Sequence, residues 1–459
     1  MKGCGVTGPW ALCLILVTPM ASRADDLKDL YALALLNDPT YQSATFALQT
    51  ARQLKPEAFA ALLPSLIATG SGGRTLGQTQ YTGTPLVNRS FDTDQWTLQL
   101  TQPILRTDSI LAYDEAKSTV EQAIAQFALA EQDLLLRLTR AYFDEVVAER
   151  HVVTARAQVA ALEEQLQATE HSYESGVASV TDVDDTRSRS ALAQAQETAA
   201  MNEVESTRAA LEAIIGSEPP ALSTIKADAL LPKPSEEAAS WVSRASTDNP
   251  AVKAARAGVD VAELDVNRSR LQHLPTVDFV ANYGGNYSSG NITEPDNFGT
   301  NVKDRQVSLQ VSVPLFSGGA IQARIAEARA KRAKARADLS AAERQAALSA
   351  RQSYAAVVSG ISQVRALQSA VAAGQNAVKG NKVGYGAGVR INSDVLNAEQ
   401  QLYSSLQDLE KARYDTLYAG LQLKAAAGDL SGDDLRAVNS LLGPPSVAPA
   451  GGANSGGIP

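Results

Sequence analysis

The chain has 459 residues, with 41 basic against 50 acidic side chains for a net charge of −9, and 44% of its residues are hydrophobic. An acidic balance of this kind argues against nucleic acid as a partner, because binding phosphates needs a basic face. Two cysteines and three scattered histidines, His151, His171 and His273, offer neither a zinc cluster nor a nucleophile triad, so no enzyme activity, metal or cofactor is expected.

In chain order, Lys2, the apolar run Ala11 to Val17 and Ser22-Arg23-Ala24 form the pattern of a cleaved secretory signal over 1–24. Cys4 and Cys13 both lie in it, so the exported chain carries no thiol, and Leu12 before Cys13 disfavours lipid attachment. Losing Lys2 and Arg23 leaves 39 basic against 50 acidic side chains, a net −11. No later apolar run reaches the roughly 18 residues of a membrane-crossing helix.

The remainder is one unit written twice, 25–216 and 236–428. Pro64 and Pro103 recur 211 residues on as Pro275 and Pro314, and Gly176, Asp182 and Gly216 recur 212 residues on as Gly388, Asp394 and Gly428. Registers that hold across whole halves fix the architecture before any single element does. Each half opens with a predicted helix, Asp25 to Leu62 and Glu236 to His273, containing Asn37-Asp38-Pro39 or Asp248-Asn249-Pro250. Both helices stop before Leu-Pro, since the residue preceding proline avoids the helical region.

The hydrophobic period then switches to two over the strand pairs 64–102 and 275–313. Leu66 and Ala68 alternate with Ser65, Ile67 and Thr69, and Val277, Phe279, Ala281 and Tyr283 with Thr276, Asp278, Val280 and Asn282. The return strands alternate more cleanly, Trp96, Leu98 and Leu100 and then Val307, Leu309, Val311 and Val313 against polar residues. Each pair predicts a hairpin with one apolar face and strands of about ten residues.

Long proline-free helices follow, 107–174 and 319–386. Leu138, Ala141, Ala148, Val152, Ala155, Val159, Leu162, Leu166 and Tyr173 step by three and four, interrupted at Glu145, and Tyr354, Val357, Ile361, Val364, Val371, Val378 and Tyr385 keep the same phase. Sustained heptads predict coiled-coil packing. Breaks at Gly176-Val177 and Gly388-Val389 lead to helices over 180–215 and 393–427. A 68-residue helix spans roughly 100 Å, long enough for the opening and last helices of a half to lie end to end beside it.

The proline-rich stretch 217–235 links the halves, 429–442 is a short C-terminal segment, and the Gly-, Pro-, Ala- and Ser-rich tail 443–459 is expected to be disordered. A basic run, Arg324, Arg329, Lys331, Arg332, Lys334 and Arg336, reads as a solvated helix face. The matching acidic stretch, Asp108, Asp114, Glu115 and Glu121, offers it an alternative partner.

Four strands cannot close a barrel, and an unpaired edge cannot sit in lipid. Several chains must therefore share one barrel, and three would supply twelve strands. The fold class expected is mixed α and β, mostly α. The rival is a pore-less periplasmic adaptor or structural coiled-coil protein, which would carry one hairpin flanked by soluble β domains rather than a repeated hairpin and strand pair.

The chain resembles the TolC-type outer-membrane channels over nearly its whole mature length. The matching stretches are Leu30-Tyr31-Ala32-Leu33-Ala34, Asn37-Asp38-Pro39, Leu62-Leu63-Pro64, Leu98-Gln99-Leu100-Thr101-Gln102 and Ala141-Tyr142-Phe143, then His273-Leu274-Pro275-Thr276, Val313-Pro314-Leu315-Phe316 with Gly318-Gly319, and Asp394-Val395-Leu396. The resemblance implies a homotrimer with a twelve-stranded barrel in outer-membrane lipid on a twelve-helix periplasmic tunnel. It implies a passive conduit for efflux or type I secretion, opened when a periplasmic adaptor and an inner-membrane pump or ABC transporter dock.

It also implies that Thr181, Asp182, Tyr385 and Arg390 tie the periplasmic mouth shut, and that Asp394 lines a constriction ring. Asn397 stands where the family's best-known pattern has a second aspartate, which leaves one carboxylate per chain in that ring unless Asp184 or Asp185 compensates. Gly176, Val177, Gly388 and Val389 match the turns where adaptors dock. The plainer account makes Asp182 and Ser393-Asp394 helix caps, and the glycines sources of backbone freedom.

Overall fold

The computed structural model describes residues 27–226, 229–293 and 298–443. The secretory signal and the tail beyond Gly443 lie outside them. The first half comprises α1 (Leu27–Asn37), α2 (Pro39–Ala60), β1 (Ser65–Thr79), β2 (Val87–Leu105), α3 (Thr107–Glu174) and α4 (Val180–Ile215), followed by β3 (Thr224–Ile225). The second comprises α5 (Ala238–Asp248), α6 (Pro250–Leu271), β4 (Thr276–Ser288), β5 (Thr300–Ser312), α7 (Ala320–Gly386) and α8 (Asn392–Ala427), with α9 (Gly432–Leu441) and β6 (Leu442–Gly443) closing the chain.

The single opening helix of each half is in fact two, broken at Asp38 and Asn249. Proline at the first helical position removes the donor that would continue the preceding helix and pushes the residue before it to an extended backbone. Asp38 accordingly has φ −67° and ψ 118°, and its Oδ1 accepts from Tyr41 N at 2.7 Å. An asparagine at each break also ties a neighbouring helix: Asn37 Nδ2 donates to Ile215 O at 2.8 Å, and Asn249 Nδ2 donates to Ala426 O at 2.9 Å. Each bond ties the C-terminus of α4 or α8 to a helix break, satisfying a carbonyl that has no partner within its own helix.

The two short helices of the first half therefore share the flank of the long one. Phe59 meets Tyr113, Tyr41 meets Phe127, and Asp38 pairs with Arg137, placing α2 along the upper part of α3. Arg156 with Glu197 and Arg187 with Glu170 place α4 along the rest.

The strands form one antiparallel sheet in the order β1-β2-β4-β5. At 15, 19, 13 and 13 residues they are longer than expected, because the ladder continues through the glycines of β1 to Thr79↔Val87. The register puts Leu66, Leu100, Ala281 and Val307 in one row and Ala68, Leu98 and Tyr283 in the next, which ends in β5 on Arg305 lying over the Tyr283 ring, so the four strands share one mainly apolar face. Trp96 packs edge-on against Tyr283 on that face, with ring centroids 5.1 Å apart. Among the described residues, the outer edges of β1 and β5 have no pairing strand.

The main core lies partway down the rods. Leu134, Leu135, Leu138, Tyr142, Phe143 and Val146 of α3 pack there with residues of α1, α4, α8 and α9. The linker crosses it as β3, which pairs with β6. Tyr142 Oη donates to Ser223 O at 2.8 Å, and Tyr414 Oη accepts from Ile225 N at 3.0 Å, so two buried phenols satisfy the linker backbone. Gly443, assigned from sequence to the tail, is paired with Thr224.

Among the described residues no ion pair joins the basic run of α7 to the acidic stretch of α3, although the charge of Lys331 reaches Glu115, and α6 packs against both helices. Arg336 pairs with Glu263 of α6, while Lys331 and Lys334 pair with Glu327 and Asp338 on their own helix. Glu115 is paired with Arg268 of α6.

Candidate functional site at the helical-hairpin turns

Both long hairpins end in the same local structure. Gly176 and Gly388 have φ of 74° and 72°, the left-handed conformation that closes a helix most cheaply without a side chain. Val177 N and Ala178 N donate to Ser172 O, and 212 residues on Val389 N and Arg390 N donate to Gly384 O. The turns leave Val177 84% and Val389 79% exposed, an apolar residue at each tip with nothing of its own chain to cover it.

The halves diverge in the next few residues. Ser179 caps α4 and forms a capping box with Asp182: Ser179 N donates to Asp182 Oδ2 at 3.1 Å, and Asp182 N donates to Ser179 Oγ at 3.3 Å. Thr181 adds a hydroxyl contact to Ser179. In the second half Ile391 stands at the cap, with no side chain to share a box. The expected cap at Ser393-Asp394 is therefore displaced two residues toward the turn. Asp394 is left to Arg390, whose Nη1 lies 3.6 Å from Asp394 Oδ2.

Of the four candidate gate residues, Thr181 and Asp182 thus form one local group, while Arg390 is engaged by Asp394 of the candidate ring. Among the described residues no hydrogen bond or ion pair joins the first pair to Tyr385 or Arg390. Asn397 is exposed. Asp184 and Asp185 are engaged by Arg187 and Arg189 at 3.4 and 3.3 Å, so each carboxylate already has a cationic partner on its own helix.

The hairpins also touch through a polar group outside the candidate gate, ring and turn residues. Gln165 Nε2 donates to Asn392 Oδ1 at 2.7 Å, Asn392 Nδ2 donates to Thr186 Oγ1 at 2.8 Å, and Thr186 Oγ1 donates to Asp182 O at 2.7 Å. Nearby, Leu396 packs with Val159, Leu162 and Ala193. Within the second hairpin, Lys382 reaches the buried Glu399 at 2.7 Å. One sequence signal for Asn392 existed: the repeat puts Val180 at its counterpart, an apolar residue replaced by an amide.

Paired helical hairpins joined to a half-open antiparallel sheet are the protomer fold of outer-membrane channels. The chain superposes on the Campylobacter jejuni CmeC outer membrane channel with a TM-score of 0.76 at 16% identity, covering 90% of this chain and 89% of that one. It belongs to the outer membrane efflux protein family, which matches residues 30–217 and 241–429. It is 32% identical to the alkaline protease secretion protein AprF of Pseudomonas aeruginosa, over 90% of this chain and 86% of the relative. It is 29% identical to the outer membrane protein TolC of Vibrio cholerae, over 91% and 94%. The protein is thus a non-enzymatic outer-membrane efflux or secretion component that extends into the periplasm.

Proposed function

We propose that three copies of the chain close a twelve-stranded barrel in the outer membrane, and that their hairpins form a twelve-helix tunnel through the periplasm. The observation that carries this reading is the sheet: four strands with one shared apolar face and two open edges. Such a sheet is stable in lipid only when each edge pairs with the next copy. The tunnel is a passive exit duct for efflux or type I secretion. The name of the protease secretion relative favours an exported protein among its cargoes.

In the closed ring, Thr181, Asp182, Tyr385 and Arg390 tie the mouth, and Asp394 and Asn397 line the constriction. Exposed ion pairs contribute only about 0–1 kcal/mol each. A ring of such contacts yields to a partner that binds the open state more tightly. That partner is a periplasmic adaptor seated on the turns at Gly176, Val177, Gly388 and Val389, coupled to an inner-membrane pump or ABC transporter.

The test is planar-bilayer recording of the purified protein after light scattering has established its oligomeric state. A trimer with small unitary conductance is expected, rising severalfold when Tyr385→Phe and Arg390→Ser are combined. A folded trimer that never conducts refutes the duct, and unchanged conductance in the assembled double variant refutes the gate.

A further inference from the structure

We propose that Asn392, with Gln165 and Thr186, is a buried polar pin that sets the closed position of the second hairpin against the first. It is a positioning element acting through Asp182, Arg390 and Asp394, and it deepens the gate reading on which it rests. The three side chains come from α3, α4 and the first residue of α8, and their exposures are 9% for Gln165, 0% for Thr186 and 2% for Asn392. Both heavy atoms of the asparagine amide are used, the oxygen by Gln165 and the nitrogen by Thr186. The Thr186 hydroxyl passes the connection to the carbonyl of Asp182.

Location gives the pin its leverage. Asn392 lies two residues from Arg390 and two from Asp394, so fixing its amide fixes where both charged groups begin. Moving the α7–α8 turn away from α3–α4 must separate Asn392 from both partners beside the apolar packing of Leu396. While the hairpins stay closed these buried groups have no water to fall back on, so removing one partner strands the other and disfavours the closed position, whereas an exposed ion pair exchanges its bond for water. The repeat makes the same point: Val180, the counterpart of Asn392, is 53% exposed, so this contact belongs to the junction between hairpins and not to the hairpin fold.

The experiment records single-channel conductance and thermal midpoint for the full assembled protein carrying Thr186→Val, Asn392→Leu or Thr186→Ser, beside the Tyr385→Phe, Arg390→Ser double variant. Thr186→Val and Asn392→Leu are each expected to shift the open-to-closed ratio about tenfold toward open, while Thr186→Ser, which keeps the hydroxyl, stays near wild type. A merely structural contact would lower the midpoint and leave conductance alone, and that result in assembled Thr186→Val overturns the pin. If Asn392→Leu fails to assemble, the isosteric Thr186→Val carries the test. Opening by the gate double variant with closed pin variants leaves the gate standing and removes the pin. Opening by the pin variants with no effect of the gate double variant refutes the four-residue gate and, with it, a pin that acts through Arg390; closure in both sets removes both.

Discussion

Glu145 interrupts the heptad of α3 and is only 1% exposed. Neither carboxylate oxygen accepts a hydrogen bond, and Arg208 Nε of α4 stands 3.7 Å away. Burial first, then the charge of Glu149, push its pKa up from 4.5 to about 7, against a partial pull from Arg208. Because the folded value lies above the unfolded one, the fold favours the protonated acid. The carboxyl is neutral in its effect below pH 4.5, and its cost accumulates between pH 4.5 and 7 and levels off above, at about 3 kcal/mol. Glu145→Gln should therefore leave the thermal midpoint unchanged at pH 4 and raise it at pH 8. An equal shift at both values would mean that packing, and not ionisation, governs the site.

At the scale of elements, the rods depend on joints as much as on heptads. Asn249 caps the N-terminus of α6 through Ala251 N at 2.8 Å while its amide nitrogen holds the last turn of α8. Asn249→Ala loses both, at a cost of about 1–2 kcal/mol. Asn249→Asp keeps the cap and loses only the tie to Ala426, so it should recover part of that loss in a urea titration; full loss in both variants would place all the stabilisation in the tie. The elements themselves were legible because their signals are local: period two in the strands, sustained heptads in α3 and α7, glycine at the turns. The tie of Asn37 to Ile215, the double use of Asn249, and the pairing of Asn392 with residues 206 and 227 positions away, were not. Those contacts depend on how helices slide along one another, which no local pattern encodes. The capping asymmetry falls between the two cases. Ser179 and Ile391 are visible in the sequence, yet the frame of the second cap is settled only when the helix begins at Asn392.

At the scale of the molecule, the chain is built for company. Leu66, Val307, Leu309 and Val311 stand 63, 70, 63 and 57% exposed on the apolar sheet face, flanked by the open edges of β1 and β5. Edges and face of this kind are covered only by another copy and by lipid, so protomer stability and assembly are linked. In detergent, the thermal midpoint should rise with protein concentration, and Arg305→Pro in the edge strand β5 should abolish that dependence together with the trimer. A midpoint independent of concentration would mean that the single chain is already stable alone.

The open edges also have a genetic consequence. In the proposed trimer each copy lends one strand edge to the next, so a ring assembled from mixed alleles would have no private subunit. On the proposed gate, a copy whose turns hold the mouth open would let the whole duct leak, however sound its neighbours are. Loss-of-closure alleles in this chain should therefore act dominantly, whereas alleles that prevent the edges from pairing drop out of the ring and remain recessive.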